Sequence, residues 1–512
     1  MRKCGLILLL LALGMRPMQA QDVRLRLNRP DGVYSRGDTV MVYGRCEPAA
    51  DMRLVDCGNQ ADSPRADGCC TSADSVMVCH HCASAADSLR MEVRVGGNTR
   101  LVAPLRLGSR DSVIYTEICD SSRWVAVLVS AGEKVIDVGY VVEPGEFRPG
   151  YAAPRNLGRF WKKEIARMRR SPMSVKVDSV ATPEKYAGQV VCWHIELSMH
   201  EGRPVNAYVS VPAGSAPGSL PIRIGTHGAT DISSPSTRSS LKKACQHALR
   251  GAIGVDVNAH GIRDDAPEEY YLELENGELK DYERQELKDR KAWYFRLMYL
   301  RLVRLVDYLV TVPEWDGRDI TVLGHSQGGG QALALGGLDP RITRVVADEP
   351  ALTDLGGALL GRRSGWPYSR RKVAVPTTRL ASRILPYYDA ALLAGFFHGA
   401  LTVRVGLADY ICPAPAVYSA FTTAGSVPAG RHSSGHISTS DEPSADRHGS
   451  GQLPADGRTG APAGLRSAAS YPAVGRASDP ASSAKLIIPF RSRHHVDVVW
   501  YDREEFDALP KE

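Results

Sequence analysis

TVLGHSQGGGQALAL, residues 321–335, decides how this chain is read. It sets Gly324-His325-Ser326-Gln327-Gly328 directly after the apolar run Ile320-Thr321-Val322-Leu323 and before an alanine- and leucine-rich stretch of helical character. Strand, sharp turn with a serine at its tip, then helix is the context in which a serine hydroxyl is presented as a nucleophile. The glycines fit that reading. The turn strains the serine backbone and brings strand and helix too close for side chains between them. A serine that simply fell in a glycine-rich turn would have no catalytic partners elsewhere, so the partners decide.

Working outward, PIRIGT (221–226), GAIGVDV (251–257), ITVLG (320–324), RVVA (344–347), LTVRVG (401–406) and KLIIPF (485–490) are short apolar runs of buried-strand type. Between the second and third, Leu302, Leu305, Val306 and Leu309 share one face of a helix, with Arg301, Arg304 and Asp307 expected towards water. Strands alternating with helices predict an α/β fold with a mostly parallel sheet. Such sheets bind ligands beyond the carboxyl ends of their strands, where Ser326 falls.

The N-terminal part reads differently. Within 21–145, VRLRLN, DTVMVYG, SLRMEVRV, WVAVLVS and VIDVGYVV are separated by turn residues with no helical period, which predicts a β-sandwich of immunoglobulin-like type. It contains no catalytic constellation and reads as a structural or carbohydrate-facing appendage. Residues 146–175 read as a linker and 176–512 as the catalytic domain. Residues 424–484 are dominated by Ala, Ser, Gly, Pro and Asp. They cannot bury enough surface to order themselves, and stand as either a flexible insertion or a misread segment of the gene.

At 512 residues the chain has room for two or three domains. The net charge of +6 is small for that length and the basic residues are scattered, so no nucleic-acid partner is expected. MRKCGLILLLLALGMRPMQAQD has a basic start, a short apolar run and a small residue at Ala20, the pattern of a signal peptide over residues 1–20. No other segment is apolar enough to span a membrane, so a secreted or periplasmic location is expected. Export would favour disulfides among Cys46, Cys57, Cys69, Cys70, Cys79 and Cys82. Cys79-His80-His81-Cys82 beside Cys69-Cys70 could instead hold zinc.

A serine nucleophile needs a histidine to take its proton and an acid to orient that histidine, here in the chain order Ser, Asp or Glu, His. Asp409, at the end of LTVRVG, is the expected acid, with Asp348 and Glu349 competing. Two sites compete for the histidine. His436 lies 27 residues after Asp409 but follows no strand; His494 and His495 directly follow KLIIPF. A base must be held at a strand end, which favours the pair without choosing between its members. His227, His260 and His325 read as structural or pocket-lining. The oxyanion donors expected are the amides of Gln327, after the nucleophile, and Ala229, after PIRIGT.

DYLVTVPEWDGRDITVLGHSQGGGQALALGGLDPRITRVVADEPALTD (307–354) followed by TVRVGLADYICPAPAVYSAF (402–421) resembles the acetyl xylan esterase and cephalosporin-C deacetylase family of α/β-hydrolases. Pro313-Glu314-Trp315-Asp316, Ser326-Gln327-Gly328-Gly329 and the Asp409 loop carry the likeness, with Ala414 where the family has a second proline. VNAHGIRDDAPEEYY (257–271) resembles a segment lining the site in secreted relatives. The family's aromatic residue after His-Gly is Ala229 here, and its Gly-His-Glu histidine motif is absent in that form. The resemblance implies a secreted, cofactor-free serine esterase with an N-terminal β-domain, acting on acetylated xylan or xylo-oligosaccharides, with homo-oligomers common. A carboxylesterase or peptidase of the same fold, and a non-catalytic carbohydrate-binding protein, remain alternatives.

Overall fold

The computed structural model describes residues 22–47, 89–132, 134–284, 287, 289–369, 379–428 and 485–490. The N-terminal body contains β1 (Asp22–Leu27), β2 (Val33–Tyr34), β3 (Thr39–Glu47), β4 (Leu89–Val95), β5 (Asn98–Leu105), β6 (Ser112–Ile118), β7 (Arg123–Ala131) and β8 (Lys134–Val142). β1, β3 and β6 pair antiparallel in one sheet. The other runs β2-β8-β7-β4-β5, antiparallel except for β2 beside β8. Period two drives this: in β4, Leu89, Met91 and Val93 are buried while Arg90 faces water. Val40, Val42, Val125, Val127 and Tyr140 fill the space between the sheets, with Tyr34 edge-on to Tyr140 at 5.6 Å. The body is a β-sandwich.

The second body is built on a nine-stranded sheet. β9 (Val175–Ser179), β10 (Val190–Leu197), β11 (Val205–Pro212), β12 (Leu220–Thr226), β13 (Ile253–Val257), β14 (Trp315–His325), β15 (Arg344–Asp348), β16 (Ala400–Gly406) and β17 (Lys485–Phe490) lie in the order β17-β16-β15-β14-β12-β13-β11-β10-β9. From β13 to β17 every neighbouring pair is parallel. β9, β10 and β11 form an antiparallel flank. The parallel strands coincide with the six apolar runs; a strand covered on both faces is apolar throughout, as in β13, buried at all its positions, whereas β17 at the end of the sheet exposes Leu486 and Ile488. With the helices Leu241–Ala248, Phe295–Leu309, Gln327–Leu338 and Ala414–Thr423 against it, this is the α/β-hydrolase arrangement the resemblance implies.

The helix Phe295–Leu309 corrects one expectation. Arg301, Arg304 and Asp307 are buried rather than turned to water. Each has dedicated partners, which is the condition for burying charge. Arg304 donates to the Ser198 and Ser171 carbonyls at 3.1 and 2.9 Å, and Arg301 to those of Arg203 and Ala259 at 3.3 and 3.4 Å. Asp307 accepts from Arg169 at 3.0 and 2.8 Å and from Arg341 at 2.6 Å.

Arg169 comes from the segment read as a linker. That segment contains the helix Leu157–Arg170, which buries Leu157, Trp161, Ile165 and Met168 in the core of the nine-stranded body. Apolar residues four and three apart lie on one helical face, and basic residues occupy the rest.

Breaking a buried ion pair costs roughly 3–5 kcal/mol because it strands a charge. Arg341 retains Asp339 at 2.5 Å, so Asp307→Ala is expected to lower unfolding free energy by about 3 kcal/mol, the lower end of that range. Urea denaturation of the two proteins measures it.

Candidate active site

Ser326 joins β14 to the helix Gln327–Leu338 with φ 54° and ψ −120°. A non-glycine residue held at positive φ costs roughly 1–3 kcal/mol and persists only where its surroundings over-determine it. Here three hydrogen bonds do so. The Ser326 N–H donates to the Asp348 carbonyl at 2.8 Å, and its own carbonyl accepts from Gly330 at 3.0 Å and Ala351 at 2.8 Å. The register of β14 on β15, with His325 opposite Asp348, sets up the first. A Cβ at Gly324 would come within 2.1 Å of Thr226 Oγ1, and one at Gly330 within 2.2 Å of the Ala351 carbonyl oxygen. Only glycine fits at either position.

β12 ends at Thr226, whose hydroxyl lies 3.0 Å from the Leu323 carbonyl and 2.9 Å from that of Gly328. This pins the end of β12 to both arms of the elbow. His227-Gly228-Ala229 then passes beside the serine: a Cβ on Gly228 would sit 3.7 Å from Ser326 Cβ. Gln327 opens its helix, and first-turn N–H groups have no intrahelical acceptor. The helix dipole also favours negative charge there. The Gln327 side chain is buried, its Oε1 accepting from Tyr282 Oη at 2.6 Å. Gln331 Nε2 donates to the His227 carbonyl at 3.2 Å.

Asp409 follows β16 and is fully buried. Its Oδ1 accepts from the Ile411 N–H at 2.6 Å and the Cys412 N–H at 3.0 Å, so the side chain shapes its own loop. Cys412 belongs to the same loop. Its N–H is on Asp409 Oδ1 at 3.0 Å. Burial first, and then the charges of Asp409 and Glu349, push the Cys412 thiol well above its ordinary range. It stays protonated and does not compete as a nucleophile. Asp348, the other acid considered, ends β15 and accepts from Arg404 at 3.4 Å. Glu349 is buried at φ 43°, 3.8 Å from His325 Nδ1.

Two of the upstream histidines are committed elsewhere. His227 has Asp256 Oδ1 at 2.6 Å on Nε2 and the Ser236 carbonyl at 3.0 Å on Nδ1, so neither ring nitrogen is left to accept a serine proton. His260 meets Tyr294 Oη at 2.6 Å and stacks edge-on to Tyr282 at 4.6 Å; burial lowers its pKa to about 3. His325 Nδ1 lies 3.6 Å from Asp348 Oδ2. His436, His494 and His495 lie outside the described residues.

The same is true of Cys57, Cys69, Cys70 and the Cys79–Cys82 stretch. Among the described residues no group of three or more His, Cys, Asp or Glu could hold a metal ion. No helix among them is long and apolar enough to cross a membrane.

Sequence reasoning missed Thr226, Tyr282 and Gln331 as supports of the elbow. Thr226 stood at a readable strand end, but Tyr282 lies in the polar stretch LKDYERQELK, where nothing marks it.

Residues 141–426 match the acetyl xylan esterase (AXE1) family. The acetyl esterase Axe7A of Xylanibacter ruminicola is 29% identical over 290 residues, covering 55% of this chain and 62% of that protein. The chain therefore spans less than two-thirds of that relative's length. Among solved structures, an acetyl xylan esterase from a Paenibacillus species is 23% identical with a TM-score of 0.46, covering 55% of this chain and 89% of that one. Acetyl xylan esterase 1 from a Thermoanaerobacterium species is 20% identical with a TM-score of 0.44, covering 55% and 88%.

Two outcomes follow from the local physics. Ser326→Gly relieves the positive φ and is expected to raise the melting temperature relative to Ser326→Ala, which keeps the strain; equal values would show that the elbow stores none. His260 has a folded pKa of about 3 against its ordinary 6.5. The unfolded chain therefore takes up the proton first, and stability falls as pH drops from about 6.5 towards 3. Across that window the parent chain should lose more stability than His260→Gln does, as followed by thermal unfolding at stepped pH.

Proposed function

The chain belongs to the acetyl xylan esterase family, and from that premise we propose that it is an exported serine esterase removing acetyl groups from xylan or xylo-oligosaccharides. One juxtaposition carries the reading. The strained Ser326 leaves β14 and the buried Asp409 follows β16, at the same end of parallel strands separated only by β15.

Ser326 Oγ attacks the acetyl carbonyl and gives up its proton to the base. The amides of Gln327 and Ala229 receive the developing oxyanion. The base returns that proton to the departing sugar hydroxyl, leaving an acetyl-serine. Water, deprotonated by the same base, then releases acetate and restores the serine. Proton and acyl transfers balance throughout, so no cofactor takes part. Asp409 orients the base and stabilises its charged form.

The base is His494 or His495 rather than His436. In support, β17 lies parallel to β16 with Phe490 opposite Gly406. The acid follows Gly406 by three positions and the histidine pair follows Phe490 by four and five. Residues leaving two adjacent parallel strands at the same edge start close together, which is how an acid and a histidine from separate loops meet. Residues 1–20 supply the export signal, and the substrate is the acetylated polysaccharide or its oligosaccharides. Self-association through the catalytic domain is part of the same proposal.

Acetate release from acetylated xylan and from an aryl acetate tests the reading. Ser326→Ala should lower turnover by roughly a thousand-fold or more, and one of His494→Ala and His495→Ala should do so where His436→Ala does not. Activity unchanged by Ser326→Ala would sink the mechanism. Faster turnover of long-acyl or peptide substrates would move the specificity away from acetyl esters.

A further inference from the structure

We propose that the N-terminal β-sandwich is a working part of the active site: it positions the catalytic acid by clamping the two residues that flank the Ala408-Asp409 step. This rests on the assignment of Asp409 as the acid, made above.

The acid loop runs Leu407-Ala408-Asp409-Tyr410-Ile411-Cys412. Asp409 is held inside it by its own short hydrogen bonds, but the loop as a whole leans on the sandwich. Trp124, in β7 and almost completely buried, donates its indole N–H to the Leu407 carbonyl at 2.7 Å. Its ring lies against Tyr410 with centroids 5.2 Å apart. Gly139, in β8, approaches so closely that a Cβ there would fall 1.8 Å from the Leu407 carbonyl oxygen. The face of the sandwich is therefore shaped to the loop's backbone.

Tyr410 is gripped from two sides. Arg94, in β4, stands 5.1 Å from its ring centroid, the guanidinium oriented by Glu92 at 2.7 and 2.8 Å. Arg363, from the loop after β15, stands at 5.3 Å and donates to the Tyr410 carbonyl at 3.4 Å. That arginine is itself tied to the sandwich, its N–H donating to the Gly96 carbonyl in the β4–β5 turn at 3.0 Å. Burial pushes the Tyr410 phenol up to about 12, so it remains a neutral ring for both cations.

A catalytic acid must hold its histidine within a fraction of an ångström, and a loop fixed only by local turns does not supply that precision. Trp124 and Arg94 are thus positioning residues: they touch neither substrate nor the reacting atoms, and act through Asp409. Their loss should appear in the chemical step rather than in substrate binding.

The test is a double-mutant cycle on the full chain with an aryl acetate, well below the melting temperature. Rates are expressed per active site titrated with a fluorophosphonate. Trp124→Phe removes the indole N–H and keeps a ring. It should lower kcat by about five-fold, the worth of one hydrogen bond, with KM changed less than about two-fold. In the Asp409→Asn background the same substitution should cost nothing further, because the residue it acts through is already lost. Arg94→Gln, at a partly exposed site that is safer for folding, should repeat the pattern with a smaller loss.

Unchanged kcat in both variants, or the same five-fold loss with Asp409→Asn as without it, would overturn the proposal while leaving Asp409 as the acid. A kcat unaffected by Asp409→Asn alone would instead remove the acid assignment on which the proposal rests. A role confined to stability would lower the melting temperature and the number of titratable sites, leaving kcat per site intact; that too would overturn it.

Discussion

The positive-φ backbone of Ser326 is the constraint on which the rest depends. A residue held in that conformation gives back roughly 1–3 kcal/mol if released, so the fold has to fix it from several directions. The Asp348 carbonyl does so from β15, Gly330 from the following helix and Ala351 from the next loop. Each of those contacts demands close backbone approach, and the glycines at 324 and 330 permit it. The parallel register of β14 on β15 and the seating of the helix Gln327–Leu338 follow from the same requirement. Thr226 brings the end of β12 into the arrangement by bridging both arms of the turn.

Around this rigid centre Asp409 is held in a different way. Asp409 sits on a loop, and a loop borrows precision from what packs against it. Its partners belong to two bodies that share a hydrophobic core: Trp124 and Val141 of the sandwich join Phe147, Tyr151, Leu407 and Tyr418. The helix Leu157–Arg170 is fixed within the nine-stranded body, its Trp161 donating to the Tyr387 carbonyl at 2.7 Å.

The parallel sheet and the elbow were legible because both leave marks in the sequence. A strand buried on both faces is a continuous apolar run, and an elbow needs its glycines at fixed offsets. β9 and β10 of the antiparallel flank were not singled out, since they mix burial with exposure: in β10, Val190 is buried and Val191 exposed. Periodicity also misplaced Arg301, Arg304 and Asp307. It registers a charged residue as water-facing and carries no information about Ser171, Ser198, Arg169 or Arg341, the distant groups that make burial of these charges affordable. The same blindness hid Trp124. Nothing in RWVAVLVSA indicates that its tryptophan bonds a carbonyl 283 positions away. In the candidate site, the positions of Ser326 and Asp409 were readable from strand ends, whereas the hydrogen bond from Tyr282 to Gln327 exists only in three dimensions.

The most direct test of the central claim, that Ser326 is an activated nucleophile, is a fluorophosphonate reaction with the folded protein followed by peptide mapping. The account predicts one adduct, on the oxygen of Ser326, and none on Cys412 or on the denatured chain. An adduct at another residue, or none on folded protein, would contradict it.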